Sequence, residues 1–91
     1  VPISNIQPGD VFIQSGNPGH AMIVVDVATN SSTKQKAFIC AQSFTPAQEI
    51  EIVKNPNDAT NSPWFIVKSS DTKVVFPQWT FTVHELKRFA N

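Results

Sequence analysis

Few side chains in this chain can do acid–base or nucleophilic chemistry near neutral pH: two histidines, His20 and His84, and a single cysteine, Cys40. His20 follows Pro18-Gly19 and leads the apolar run Ala21-Met22-Ile23-Val24-Val25. An imidazole in front of such a run is held by packing and can be aimed at a partner, which general acid–base chemistry requires. Its nearest candidate partner for nucleophilic chemistry is Cys40, in the next apolar run, Ala37-Phe38-Ile39-Cys40-Ala41. That setting argues against Cys40 as a nucleophile, because a mid-strand thiol among apolar neighbours is buried and its pKa is raised. His20 also has a plain structural reading, a strand-end histidine bonded through one ring nitrogen to a backbone carbonyl. His84 follows a threonine that can cap a helix and reads as solvated.

These residues need elements to hold them. Pro8-Gly9-Asp10 is turn chemistry, and Val11 to Gln14 reads as a short strand. Ser15-Gly16-Asn17-Pro18-Gly19 is a second turn. His20 to Ala28 reads as a central strand, with His20, Met22, Val24 and Asp26 on one face and Ala21, Ile23, Val25 and Val27 on the other. Both faces are apolar enough to predict that both are covered. A polar connection, Asn30 to Gln35, leads to an antiparallel strand from Lys36 to Phe44 that places Phe38, Cys40, Gln42 and Phe44 on one face. Glu49 to Val53 alternates as an edge strand would. Lys54 to Pro63 is a polar loop, and Trp64 to Val67 and Val74 to Phe76 are short apolar runs. Thr82-Val83-His84-Glu85 has the form of a capping box, so a short C-terminal helix is expected from Val83 to Ala90. Its inward side would be Val83, Leu86 and Phe89 or Ala90, and Lys87-Arg88 would sit in its last turn.

The bulk numbers allow one small domain. The 91 residues are 41% apolar and 15% charged, with seven basic and seven acidic residues and no charge runs. That balance gives no electrostatic footprint for nucleic acid or an anionic membrane, and no stretch reaches the length of a membrane span. One cysteine forms no internal disulfide, and no Cys/His spacing suggests a metal or another cofactor. The expected architecture is α+β: a mainly antiparallel, twisted β-sheet of about four to six strands with a short C-terminal helix, as one domain over 1–91 or the C-terminal fragment of a larger one.

Two resemblances bear on function. Gly9-Asp10, an apolar strand, a glycine turn, then Gly19-His20 and a run of Ile and Val resembles the histidine-bearing hairpin of NlpC-type cell-wall peptidases, a branch of the papain-like cysteine hydrolases. The resemblance implies the sheet half of such a fold, with His20 as base. It also implies an orienting side chain on the strand after the histidine strand. Direct alignment puts Cys40 at that place and a two-residue slip puts Gln42 there. Gln42 is the better orienter, since its carbonyl accepts from a ring N–H and a thiol does so poorly. The nucleophile in this order precedes the Gly9-Asp10 strand and is missing from these residues, so the chain alone is not expected to be a competent enzyme.

The second resemblance covers nearly the whole chain. Gly9-Asp10-Val11-Phe12-Ile13-Gln14, Pro18 to Asp26, Ala41-Gln42-Ser43-Phe44-Thr45-Pro46-Ala47-Gln48, Lys54-Asn55-Pro56, Ser62-Pro63-Trp64 and Trp79-Thr80-Phe81 with Leu86-Lys87-Arg88-Phe89 look like the C-terminal portion of an uncharacterised bacterial domain-of-unknown-function family. Where Ser-Tyr-Met-Pro-Ala-Gln is expected, this chain has Ser43-Phe44-Thr45-Pro46-Ala47-Gln48, which loses a hydroxyl and keeps an aromatic. This resemblance names a lineage and supplies no activity; it implies an exported protein of the periplasm or cell envelope, with this chain as its last third. A cell-wall peptide or glycan as partner follows from the peptidase resemblance and from the aromatic residues, and packing against an upstream part or a second copy follows from the lack, in these residues, of the helix that would carry the thiol.

A rival function rests on aromatics. Trp64 and Trp79, with Phe65, Phe76 and Phe81, fall in the Pro-rich C-terminal half, and clustered tryptophans near Asn and Gln can stack on sugars or peptides. A glycan- or peptide-binding module is therefore the alternative to a hydrolase, and a small aromatic core is the structural reading of the same residues.

Overall fold

A computed structural model describes residues 1–14, 20–43, 50–77 and 79–89, with Ser43 described by its backbone alone. The turn expected at 15–19, Phe44 to Glu49, Gln78 and Ala90 lie outside the described residues. Among the described residues eight strands follow one another: β1 (Val11–Gln14), β2 (His20–Thr29), β3 (Lys36–Ser43), β4 (Ile50–Ile52), β5 (Phe65–Ile66), β6 (Lys73–Val75), β7 (Thr80–Thr82) and β8 (Leu86–Lys87). Six form one sheet in the order β4-β3-β2-β1-β8, with β5 pairing the other end of the β3 edge, and β6-β7 is a separate hairpin. Every pairing is antiparallel.

The expected α+β class is corrected to all-β: among the described residues there is no α-helix, only two 3-10 turns, at Ile3–Asn5 and Val83–Glu85. The C-terminal helix fails after one turn for a packing reason. The Thr82 backbone N–H does donate to Glu85 Oε1 at 2.8 Å, as a capping box asks. The chain then extends, because Leu86 pairs with Phe12 on β1 and is fully buried there. Two turns of isolated helix are marginal in water, and one buried leucine plus a strand pairing outweighs them. Phe89, expected inward, is 71% exposed. Arg88, expected to favour a helix end, instead reaches Asp10, with Nε 2.8 Å from Oδ1 and Nη2 2.9 Å from Oδ2.

Gly9 turns the chain into β1 with φ +93°, a conformation glycine adopts without strain. Its N–H donates to Val24 O, and Val24 N–H to Asp10 O, both at 2.8 Å, which extends the β1–β2 ladder past the turn. β2 pairs Val24 with Cys40 and then Asp26 with Ile39, so a bulge at Val25 reverses the alternation. The inward series is therefore His20, Met22, Val24 and Val27, with Asp26 moved to the outer face, contrary to the strict alternation expected. The bulge lets Val27 pack against the core.

That core lies between the sheet and the β6-β7 hairpin. Phe12, at its centre, has ring centroids 5.7 Å from each of Phe38, Phe76 and Phe81. Ile3, Ile6, Met22, Val24, Cys40, Val53, Phe65, Val74 and Leu86 fill the space around them. The outer face is covered only in part, with Val11 and Ala41 buried on it and its isoleucines open, a second departure from the expectation that both faces are covered. The registers line up Val11, Ile23, Ala41 and Ile52 across four strands, and Ile23 and Ile52 are 44% and 46% exposed.

Candidate functional site

His20 begins β2, paired with Gln14 at the end of β1. The β2–β3 register sets Met22 nearest Gln42, so His20 and Gln42 are diagonal neighbours on the inward face, within reach for long side chains. The structure brings them together: His20 Nε2 lies 2.9 Å from Gln42 Oε1. With the Gln42 carboxamide oxygen, an acceptor, in that place, the contact is satisfied by the tautomer that carries its proton on Nε2, which leaves the lone pair of a neutral imidazole on Nδ1. Gln42 thereby favours that tautomer.

Trp79 covers this pair. Its indole stacks on the His20 imidazole with centroids 4.5 Å apart and planes 3° apart, and Phe81 lies 6.5 Å from the same ring. Trp79 sits between β6 and β7, and its carbonyl accepts from Phe76 N–H at 2.8 Å, which anchors the indole to the hairpin. The imidazole is thus held by a hydrogen bond in its plane and an aromatic on its face, while remaining half-buried at the sheet end. The sequence groups Trp79 with the aromatic core or a binding surface. Nothing in the spacing links it to His20, because the contact exists only once the hairpin folds over the sheet.

Cys40 shares the inward face with Gln42 but lies deeper, opposite Val24, with no exposed surface. Burial pushes its thiol pKa up, far from the range in which a thiolate forms. His84 is exposed on the second 3-10 turn. The two tryptophans do not share a platform. Trp64 borders a surface hollow with Ala28, Thr29 and Asn30, at the far end of β2 from His20, and ten residues of strand span about 30 Å.

Asp10 is structural. It is 1% exposed, accepts from Gln7 N–H at 2.9 Å and takes a bidentate contact from Arg88. Burial works to raise its pKa, but the Arg88 guanidinium and the Gln7 amide outweigh it and hold the carboxyl below the usual carboxylate range. Glu51, on the edge strand, is the direct partner of Gln42 across β3–β4. Among the described residues no group of three His, Cys, Asp or Glu side chains could hold a metal ion. No described helix is long and apolar enough to cross a membrane.

The sequence model of the family described as Domain of unknown function (4846) matches residues 1–88. The chain belongs to that family. No curated protein and no solved structure matches it. The matched residues take in His20, Gln42, Glu51 and Trp79, and also the Asp10–Arg88 pair.

Proposed function

We propose that this chain is the histidine-bearing sheet of a papain-like, NlpC-type cysteine hydrolase of the bacterial cell envelope, with the nucleophile supplied from outside these 91 residues. The observation that carries the reading is the bond from His20 Nε2–H to Gln42 Oε1 at 2.9 Å. It leaves Nδ1 as the base. A thiol S–H placed against Nδ1 gives up its proton there, and the resulting imidazolium keeps its Nε2–H on the Gln42 carbonyl, which stabilises the new charge. The thiolate attacks a substrate carbonyl carbon, and Nδ1–H returns its proton to the leaving amine as the C–N bond breaks. Trp79 stacked on the ring limits water at the His20–Gln42 bond, which strengthens it. Cys40 is excluded from the role by its burial. Such a substrate would be a wall peptide, and an exported location goes with it.

Reactivity tests this. In a longer polypeptide that includes the residues preceding Val1, a small alkylating reagent is expected to label a cysteine other than Cys40, about tenfold or more slowly after His20→Ala. Labelling that is indifferent to His20, or no cysteine reacting faster than a free thiol peptide, would contradict the reading.

A further inference from the structure

Beyond the end of β2 and β3 remote from His20, where Thr29 pairs with Lys36, the surface carries a hollow of about 350 Å³. Lys34, Lys36 and Lys68 line it, three of the chain's seven basic side chains, and among the described residues no Asp or Glu does. A chain of zero net charge thus gathers positive charge in one place. The one ion pair among the described residues is that of Asp10 with Arg88, so no carboxylate offsets these lysines by direct contact. Asp71, just past Ser70, lines the neighbouring hollow instead, and its Oδ2 accepts from Lys68 N–H at 2.9 Å. Much of the remaining lining is hydroxyl: Ser4, Thr33, Ser69 and Ser70.

The backbone holds these groups in place. Lys34 has φ +64°, a left-handed conformation that favours glycine or asparagine. Its N–H donates to Asn30 O and Asn30 N–H to Gln35 O, both at 2.8 Å, while Asn30 Oδ1 accepts from Ser32 N–H and Thr33 N–H. A lysine fixed in that conformation by so many bonds is the kind of outlier that collects at ligand clamps. On the other side of the hollow, Asp71 N–H donates to Lys68 O at 2.9 Å, a turn that leaves the Ser69 and Ser70 N–H groups outside its own bond.

We infer that this hollow binds a small open-chain polyol phosphate. Lysine ammonium groups are point charges suited to phosphate oxygens, and serine and threonine hydroxyls both donate to and accept from the hydroxyls of a polyol. Among the described residues no aromatic side chain lines the hollow, so a nucleobase or a sugar ring finds no face to stack on. Its apolar lining residue, Val67, is 7% exposed and offers no foothold for an acyl chain. The volume is at the small end of ligand sites, which suits a compact ligand. The hollow is separate from the His20–Gln42 pair, and its ligand does not depend on the hydrolase reading.

Titration tests this. Glycerol phosphate, glycerol and inorganic phosphate are added separately to the isotope-labelled chain while the backbone N–H signals of Ser69 and Ser70 are followed. Glycerol phosphate is expected to shift both signals with a dissociation constant about threefold below that of inorganic phosphate, the size of one added hydrogen bond, and glycerol to leave them in place. Lys34→Gly, which suits the left-handed turn and keeps the fold, is expected to weaken binding about fivefold, as is Lys68→Gln. Lys87→Gln, the same loss of charge on β8, is expected to leave it unchanged. No shift of these signals, inorganic phosphate binding as tightly as the glycerol ester, or equal weakening by Lys87→Gln would overturn the inference. So would sedimentation of the chain with phosphatidylglycerol vesicles that Lys34→Gly abolishes, which would assign the same chemistry to a lipid headgroup.

Discussion

The His20 imidazole and the Trp79 indole lie parallel, 4.5 Å apart, although one begins a strand of the sheet and the other sits in the hairpin folded over it. A protonated imidazole in stacking contact quenches indole emission, so Trp79 reports the charge on His20. In a Trp64→Phe background, emission is expected to fall as His20 protonates and to stay flat in His20→Gln. A pH response that survives His20→Gln would mean that the stack does not form in solution.

The Asp10–Arg88 pair ties the turn before β1 to the residue after β8. Asp10→Asn is expected to destabilise the fold by about 2 kcal/mol, the scale of a charge-assisted pair whose arginine stays partly in water. The pH dependence has a definite sign. Because the folded carboxyl is held below its unfolded value of about 3.9, the contribution is complete above that pH and is lost as pH falls through the depressed folded value. Urea melts from pH 7 down to pH 2 check this, and the Asn variant is expected to lose less stability than the parent over that descent.

Cys40 is fully buried, and burial raises its thiol pKa. Alkylation of the folded chain is expected to be slower than that of a free cysteine peptide, to reach that rate in denaturant, and to be unchanged by His20→Ala. Fast native labelling lost in His20→Ala would make Cys40 the nucleophile.

Leu86 marks where local and tertiary signals part. Leu86→Ala is expected to cost about 2–5 kcal/mol in thermal or urea unfolding, as for a fully buried leucine. Thr82→Ala, at the end of β7 where the 3-10 turn begins, is expected to cost about 1 kcal/mol or less. Equal effects would mean that the second turn, rather than the β1–β8 pairing, anchors the C-terminus.

These residues also show how much the sequence discloses. The β-branched run after His20 and its polar connection to β3 are local signals, and the strands follow them. So does the parity that puts Phe38, Cys40 and Gln42 on one face; the peptidase resemblance, with its two-residue slip, then singles out Gln42 as the partner of His20. The capping box at Thr82 and Glu85 is equally local and does form its turn, but a two-turn helix depends on packing that the sequence does not display. Leu86 met Phe12 on a distant strand instead. The Val25 bulge, the Arg88–Asp10 bond and the Trp79 stack are all long-range, and no periodicity marks them.

The central claim is that Gln42 holds His20 as the Nε2–H tautomer with Nδ1 free to act as base. Nitrogen-15 shifts of the His20 ring, read at alkaline pH, measure this directly. The account predicts a protonated Nε2 and a bare Nδ1, with Gln42→Ala giving a mixture of tautomers. A proton on Nδ1, or a tautomer unchanged in Gln42→Ala, would contradict it.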